Sequence, residues 1–362
     1  MRTRALQRRM RNDLAWCALG CALVQCVLAV GVDQFWPAVR DPEYADVYQS
    51  VRARLADAPQ RPVVLALGSS RTQMALRTER LNQPEDEGAP LVLNCGIPMC
   101  GPMVQWIVLR RLLSAGVRPS LVFLEITPCF MFATDGANTE ERRDDIGGRL
   151  SAAEIAGVCR HHARPHRVWR PWTEARLLPA FRHQAELHAA LGLDLPAGGS
   201  VPDEHARDRF GWVAPPISQP AEQVARQTRT FLSAQEDGMK EAVTSPSSLA
   251  VLREAVNLCR AQGIPVVFIV TAESSVLRSI ATDSTDCRLN PVHGLARELA
   301  VPMIDARTWV DDDGFCDGHH VIMKGAEQYT ERFAREALAP QLAGMRRGRE
   351  LNQSVQLGTT RP

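Results

Sequence analysis

The chain has 362 residues, 45% hydrophobic and 23% charged, with a formal net charge of +1. That balance excludes a strongly basic nucleic-acid binder as the default reading, and no nucleic-acid partner is expected. The length suffices for one large core or two smaller ones.

The N-terminus carries Arg2, Arg4, Arg8, Arg9 and Arg11 with no acid before Asp13. Residues 14–32, "LAWCALGCALVQCVLAVGV", hold Gln25 as their only strongly polar side chain. At ~1.5 Å per residue such a run just crosses a hydrocarbon core of ~30 Å. The spacing predicts a transmembrane helix over 14–32, with residues 1–13 cytoplasmic and the remainder extracytoplasmic (periplasmic), since basic residues stay inside. A cleaved signal peptide would need a better site than "LAVGVDQ". A helix packed inside a soluble, cytoplasm-facing protein leaves the five arginines unexplained. Cys17, Cys21 and Cys26 lie in the apolar run; the other seven of the ten cysteines are odd in number, so at least one thiol is free. No C-x-x-C occurs, and neither a metal nor another cofactor is expected.

Residues 33–61 read as a stalk. Strands follow at "PVVLALG" (62–68) and "APLVLNCG" (89–96), a helix over 101–116, and a third strand at "PSLVFLEITP" (119–128). This alternation predicts parallel pairing in an α/β sheet. It stops over 129–245, which is polar and rich in Pro, Arg and His, with helical stretches around 151–160 and 173–192. It resumes over 246–340 with a helix ending near Gly263, a strand at 265–270, a short strand in "VPMIDA", and a final helix. That helix places Tyr329, Phe333 and Ala337 on one face and is expected to stop at Pro340, before a polar tail over 341–362. One α/β domain, in halves 62–128 and 246–340, is thus interrupted by about 115 residues, a length used for lids and substrate-binding subdomains.

The first strand breaks into Gly68-Ser69-Ser70-Arg71. A serine on a strand-to-helix turn stands at the sheet's carboxyl edge, where ligands bind, and its own N–H is placed for a developing oxyanion. Near the C-terminus stands Asp317-Gly318-His319-His320. A carboxylate three residues before an imidazole can fix its tautomer while the other ring nitrogen takes a serine proton. Ser70, His320 and Asp317 are therefore the candidate nucleophile, base and orienting acid. Ser69 and His319 stand as alternatives to Ser70 and His320. Arg71 either holds a substrate carboxylate or phosphate or pairs structurally with Glu125 or Glu273.

With Ser in a G-x-S turn after strand one and D-x-x-H before the last helix, the chain resembles the SGNH (GDSL-like) hydrolases over 62–128 and 248–338. It is most similar to their membrane-anchored branch, near alginate O-acetyltransferases and D-alanyl transfer proteins. The resemblance implies a flavodoxin-like three-layer α/β sandwich with a parallel sheet, here with a large helical insertion and an N-terminal transmembrane helix. It implies oxyanion donors at Met99 or Gly101 in "NCGIPMCGP", and a site asparagine at Asn94. Two departures stand out: Ser69 replaces the family's Asp, and "LEITPCFM" lacks the asparagine expected after strand three. The implied function is a serine esterase or O-acyltransferase working through a Ser70 acyl-enzyme on an acylated extracytoplasmic glycan or similar acyl substrate, with a partner membrane protein possible as acyl donor. The alternative is a catalytically silent SGNH-fold binding or scaffold protein of the cell envelope.

In the insertion, "CRHHARPHRVWRPWTEARLLP" (159–179) reads as helix ends and packing, or as an Arg/Trp surface for a polyanionic glycan or lipid headgroups, rather than a metal cluster. "DRFGWVAPP" (208–216) reads as a buried loop anchored by Phe210 and Trp212, without a functional reading.

Overall fold

Five strands form the central sheet of the computed structural model, which describes residues 2–82, 89–193, 207–240, 243–281 and 285–347. They are β1 (Val63–Gly68), β2 (Leu91–Gly96), β3 (Leu121–Ile126), β7 (Val266–Val270) and β8 (Met303–Asp305). All pairs are parallel, in the order β2-β1-β3-β7-β8, with Val64 opposite Val92 and Leu121 and with Phe123 opposite Val267. Renumbered within the sheet alone this is the flavodoxin-like order 2-1-3-4-5, whose switch point lies beside the first strand. The α/β class and parallel sheet expected from the sequence are thus observed. A second sheet joins β4 (Phe132–Thr134), β5 (Ala137–Asn138) and β6 (Val243–Thr244) in antiparallel fashion.

The strands are apolar throughout because both faces are covered. Val64, Ala66, Phe123, Val267 and Ile269 form one core with Tyr329, Phe333 and Ala337. Leu65, Leu67, Leu93, Leu124 and Phe268 alternate to the other face. There α1 (Pro102–Ser114), with Leu109 and Leu112 fully buried, lies against β1 and β3 beside α2 (Pro246–Arg260). Both helices begin with proline at a position whose N–H would have no intrahelical acceptor.

Two expectations need correction. Pro340 does not end the last helix: α3 (Met323–Arg332) passes through a π turn at Phe333–Leu338 and continues helical to 347. The wider turn accommodates the proline ring and missing N–H, and Leu342 and Met345 pack on the core beyond it. Of the polar tail, 348–362 lie outside the described residues.

The expected single insertion is divided as well. The chain forms two compact units, one of residues 1–49 and 141–204, the other of 50–140 and 205–362. Residues 129–140 and 205–245 therefore belong with the sheet. The other unit contains a helix over Arg2–Val30, extended by a π turn at Gly31–Phe35 and long and apolar enough to cross a membrane. The last turns of that helix contribute Leu28 and Val32 to a small core with Val39 and Leu187.

Candidate active site

The switch point of the sheet holds the site, at the carboxyl ends of β1 and β3. Ser69 caps the short helix Ser70–Ala75 by accepting from the Arg71 N–H at 3.2 Å. The whole turn is suspended from one side chain. Glu125, 1% exposed on β3, accepts from the Ser69 N–H (2.9 Å), the Ser69 hydroxyl (2.6 Å), the Thr72 N–H (3.2 Å) and the hydroxyls of Thr72 and Thr127. Gly68 is required beneath it, because a Cβ there would collide with Glu125 Oε2 and Thr72 Oγ1. Ser69 thus orients the turn, and Ser70 is the serine presented to the cleft.

Opposite it, residues 315–321 fold into a tight loop closed by a Phe315–Val321 bridge and by the Cys316 N–H to the His320 carbonyl at 2.9 Å. Gly318 at its apex has φ +86° and so occupies the left-handed region. The Asp317 carboxylate gathers the loop, its Oδ1 accepting from the N–H groups of His319 (3.2 Å) and His320 (2.7 Å). Its Oδ2 lies 2.8 Å from His320 Nδ1, and His320 Nε2 lies 2.7 Å from Ser70 Oγ. With Nδ1–H donated to the carboxylate, Nε2 is left as the acceptor for the serine hydroxyl. Burial alone would raise the Asp317 pKa, but the hydrogen bond and charge of His320, then His319, outweigh it and hold the carboxyl well below its usual range.

The His319 ring lies beside that of His320, at 4.0 Å between ring centres, with its Nδ1 3.2 Å from Asp317 Oδ1. It stacks on Phe231 at 3.9 Å between ring centres, and burial, then the neighbouring His320 and Arg71, push its pKa down to about 2. Phe231 belongs to α4 (Ala221–Lys240), a helix of the insertion absent from the sequence-based expectations. Its half-buried Val224, Thr228, Phe231 and Leu232 recur at i, i+4, i+7 and i+8, a stripe that was the available signal. Beside this stripe a cavity of about 520 Å³ is lined by Val224, Thr228, Leu232, Val276, Phe315 and Ile322.

The other expected site residues take different places. Gly101 is not an oxyanion donor: its N–H donates to Glu140 Oε1 at 2.8 Å, and Glu140 also receives the Met103 and Val104 N–H groups at the start of α1. Asn94 is not a substrate contact. Its amide donates to the carbonyls of Thr72, Gln73 and Leu76, and its oxygen accepts from the Gly96 N–H, so it braces the helix behind Ser70. Arg71 is 6% exposed and pairs with Glu273 (3.5 Å) and Thr271 (3.1 Å), the structural alternative rather than a substrate clamp. Burial raises the Glu273 pKa, with Arg71 opposing. Met99 is half-exposed on the loop after β2, with φ 57°. Thr127 stands where the family asparagine was sought, and its hydroxyl is given to Glu125.

The 208–216 loop now has a task. The Phe210 carbonyl accepts from the Asn94 N–H (2.9 Å), and the Trp212 indole donates to the Met74 carbonyl (2.7 Å), clamping the helix after Ser70.

Asp317, His319 and His320 also form the group of ligand-type atoms, all within 4.8 Å of one another, that could accept a metal ion among the described residues. Both Asp317 oxygens are already engaged by N–H donors, which suits a carboxylate that orients an imidazole. Cys95, Cys259 and Cys316 are pushed by burial up to about 12, and Cys129 to about 11, so none is poised as a thiolate nucleophile.

No family model matches the chain, and no curated protein matches it. Among solved structures it is similar to a GDSL-like lipase from Bacteroides thetaiotaomicron VPI-5482, at 10% identity and TM-score 0.36 over 80% of this chain and 96% of that one. It is also similar to a candidate acylhydrolase from Bacteroides fragilis NCTC 9343, at 12% identity and TM-score 0.36 over 79% of this chain and 93% of that one. These are likenesses of fold at low identity.

Proposed function

We propose that the chain is a membrane-anchored SGNH-like serine esterase or O-acyltransferase, acting on acyl groups of an extracytoplasmic glycan or similar envelope substrate. The observation that carries this reading is the continuous relay Ser70 Oγ–His320 Nε2 (2.7 Å) and His320 Nδ1–Asp317 Oδ2 (2.8 Å). In this mechanism His320 takes the Ser70 proton as Oγ attacks the ester carbonyl. The Ser70 N–H faces the developing oxyanion, and His320 then returns the proton to the leaving alcohol. Asp317 fixes the tautomer and stabilises the imidazolium. Water or a sugar hydroxyl, deprotonated by His320, releases the acyl group from Ser70. The glycan and a partner membrane protein supplying acyl groups rest on the resemblance to membrane-anchored SGNH-like proteins, and the membrane itself on residues 14–32.

A second reading, a silent SGNH fold serving as an envelope scaffold, is favoured by one observation: the Gly101 N–H is spent on Glu140, leaving the oxyanion site with fewer donors than the family pattern implies. Hydrolysis of nitrophenyl acetate and butyrate by the full-length chain in detergent separates the two. The enzyme reading expects Ser70→Ala and His320→Ala to lose at least ~10³-fold in kcat. Turnover by Ser70→Ala equal to that of the parent chain leaves the scaffold reading in its place.

A further inference from the structure

The apolar run 14–32 has one strongly polar residue, Gln25, and the unit it belongs to explains why. Residues 165–190 form a helical hairpin whose descending arm is Pro165–Leu177 and whose returning arm is Gln184–Ala190. Arg176 Nη2 bonds Asp33 Oδ1 at 2.8 Å, while the Ala180 N–H donates to Gln25 Oε1 at 3.3 Å. The chain therefore runs antiparallel to the apolar helix as it descends, and its tip lies at the level of Gln25. Leu187 then meets Leu28, Val32 and Val39 on the way back.

Gln25 precedes Val32 by seven positions, which is ~10 Å along a helix, against ~15 Å for half a hydrocarbon core. We propose that this hairpin tip, residues 177–182, is inserted into the leaflet in which the apolar helix ends, with lipid acyl chains as its partner. The proposal rests on the reading of residues 14–32 as a membrane span.

Three independent features fit a lipid environment. First, the tip is apolar and outward: Leu177, Leu178 and Phe181 are 65%, 51% and 74% exposed. Second, its backbone donors are satisfied without water. Leu178 donates to the Glu174 carbonyl, Phe181 and Arg182 to that of Leu178, and His183 to that of Pro179, while Pro179 has no N–H. The remaining donor, on Ala180, is the one Gln25 accepts. A backbone group left unpaired in hydrocarbon costs several kcal/mol, so a glutamine inside the span has a physical purpose. Third, polar groups and indoles lie back toward the surface. The Arg182 guanidinium reaches the vicinity of Gly148, as a snorkelling side chain does. Trp172 packs edge-on against Trp169 and carries Arg176 3.9 Å above its ring. Trp169 precedes Leu177 by eight positions, ~12 Å along a helix, which is the depth of an interfacial aromatic belt.

The test incorporates photoreactive benzoylphenylalanine in the full-length chain, reconstituted in phosphatidylcholine vesicles, at position 181, at Leu19 in the middle of the span, or at the exposed Glu254 of α2. Intact mass after irradiation then counts lipid adducts. The expected result is lipid adducts at 181 and 19, each at least tenfold above 254. Adducts at 19 with none at 181, or only protein–protein adducts at 181, overturn the proposal while leaving the anchor intact. Absence of lipid adducts at both 19 and 181 overturns the anchor and the proposal together.

Discussion

Replacing Glu125 by alanine tests how the candidate nucleophile is held. Five donors converge on this carboxylate, and three of them are hydroxyls that can rotate toward other acceptors. The N–H groups of Ser69 and Thr72 cannot turn without unwinding the helix they begin. Each buried donor left unpaired costs about 1–3 kcal/mol, so Glu125→Ala is expected to lose about 2–6 kcal/mol from these two alone. Glu125→Gln keeps one carbonyl oxygen, and the hydroxyls facing its amide can reverse to accept, so its loss should be about 1–3 kcal/mol. Urea unfolding followed by tryptophan fluorescence, with nitrophenyl acetate turnover on the same samples, measures both stability and site integrity. Arg253→Ala, which removes an exposed partner of Glu298, is the reference and should change stability by less than about 1 kcal/mol. A Glu125→Ala protein as stable as the reference variant would refute the idea that this side chain suspends the turn.

Asp317→Asn should expose the linkage between the orienting acid and pH. The folded pKa of Asp317 lies below its ordinary value of 3.8, so its contribution to stability is present above that value and lost as pH falls through the folded one. The stability gap between parent and variant is therefore expected to be fully present above about pH 5 and to narrow below about pH 4; a gap that grows on acidification contradicts the assigned direction. Gly318→Ala combines φ +86° with a Cβ 3.1 Å from Thr228 Cγ2 and 3.2 Å from Ser274 Oγ. It should lower kcat for nitrophenyl acetate at least tenfold while the unfolding midpoint shifts only modestly, and unchanged turnover would show that the loop tolerates the strain.

The sheet was legible because its strands are unbroken apolar runs bounded by Pro and Gly, the mark of parallel strands buried on both faces. Ser70, Asp317 and His320 were legible because each sits at a turn where the residue types have a mechanical reason to be. Glu125 was visible as one acid in the apolar run of β3, yet four of its five donors lie on another strand's turn, and nothing local distinguishes a suspended turn from an Arg71 ion pair. Gly101 misled for a similar reason: the carboxylate that takes its N–H lies 39 residues away. Helix α4 was obscured by its polar composition, since its apolar stripe is a few residues wide and what it covers, the His319 ring and the Gly318 turn, lies about 90 residues further along the chain. Pro340 ended a helix on paper because a local rule cannot foresee a π turn supported by core packing of Leu342 and Met345.

The central claim is that Ser70 is an activated nucleophile. Labelling of the full-length chain with a fluorophosphonate probe, with the modified residue located by peptide mass, tests it most directly. The account predicts one adduct per chain, on Ser70, abolished in Ser70→Ala and in His320→Ala. A folded chain that takes no label, or one labelled equally well in Ser70→Ala, would contradict it.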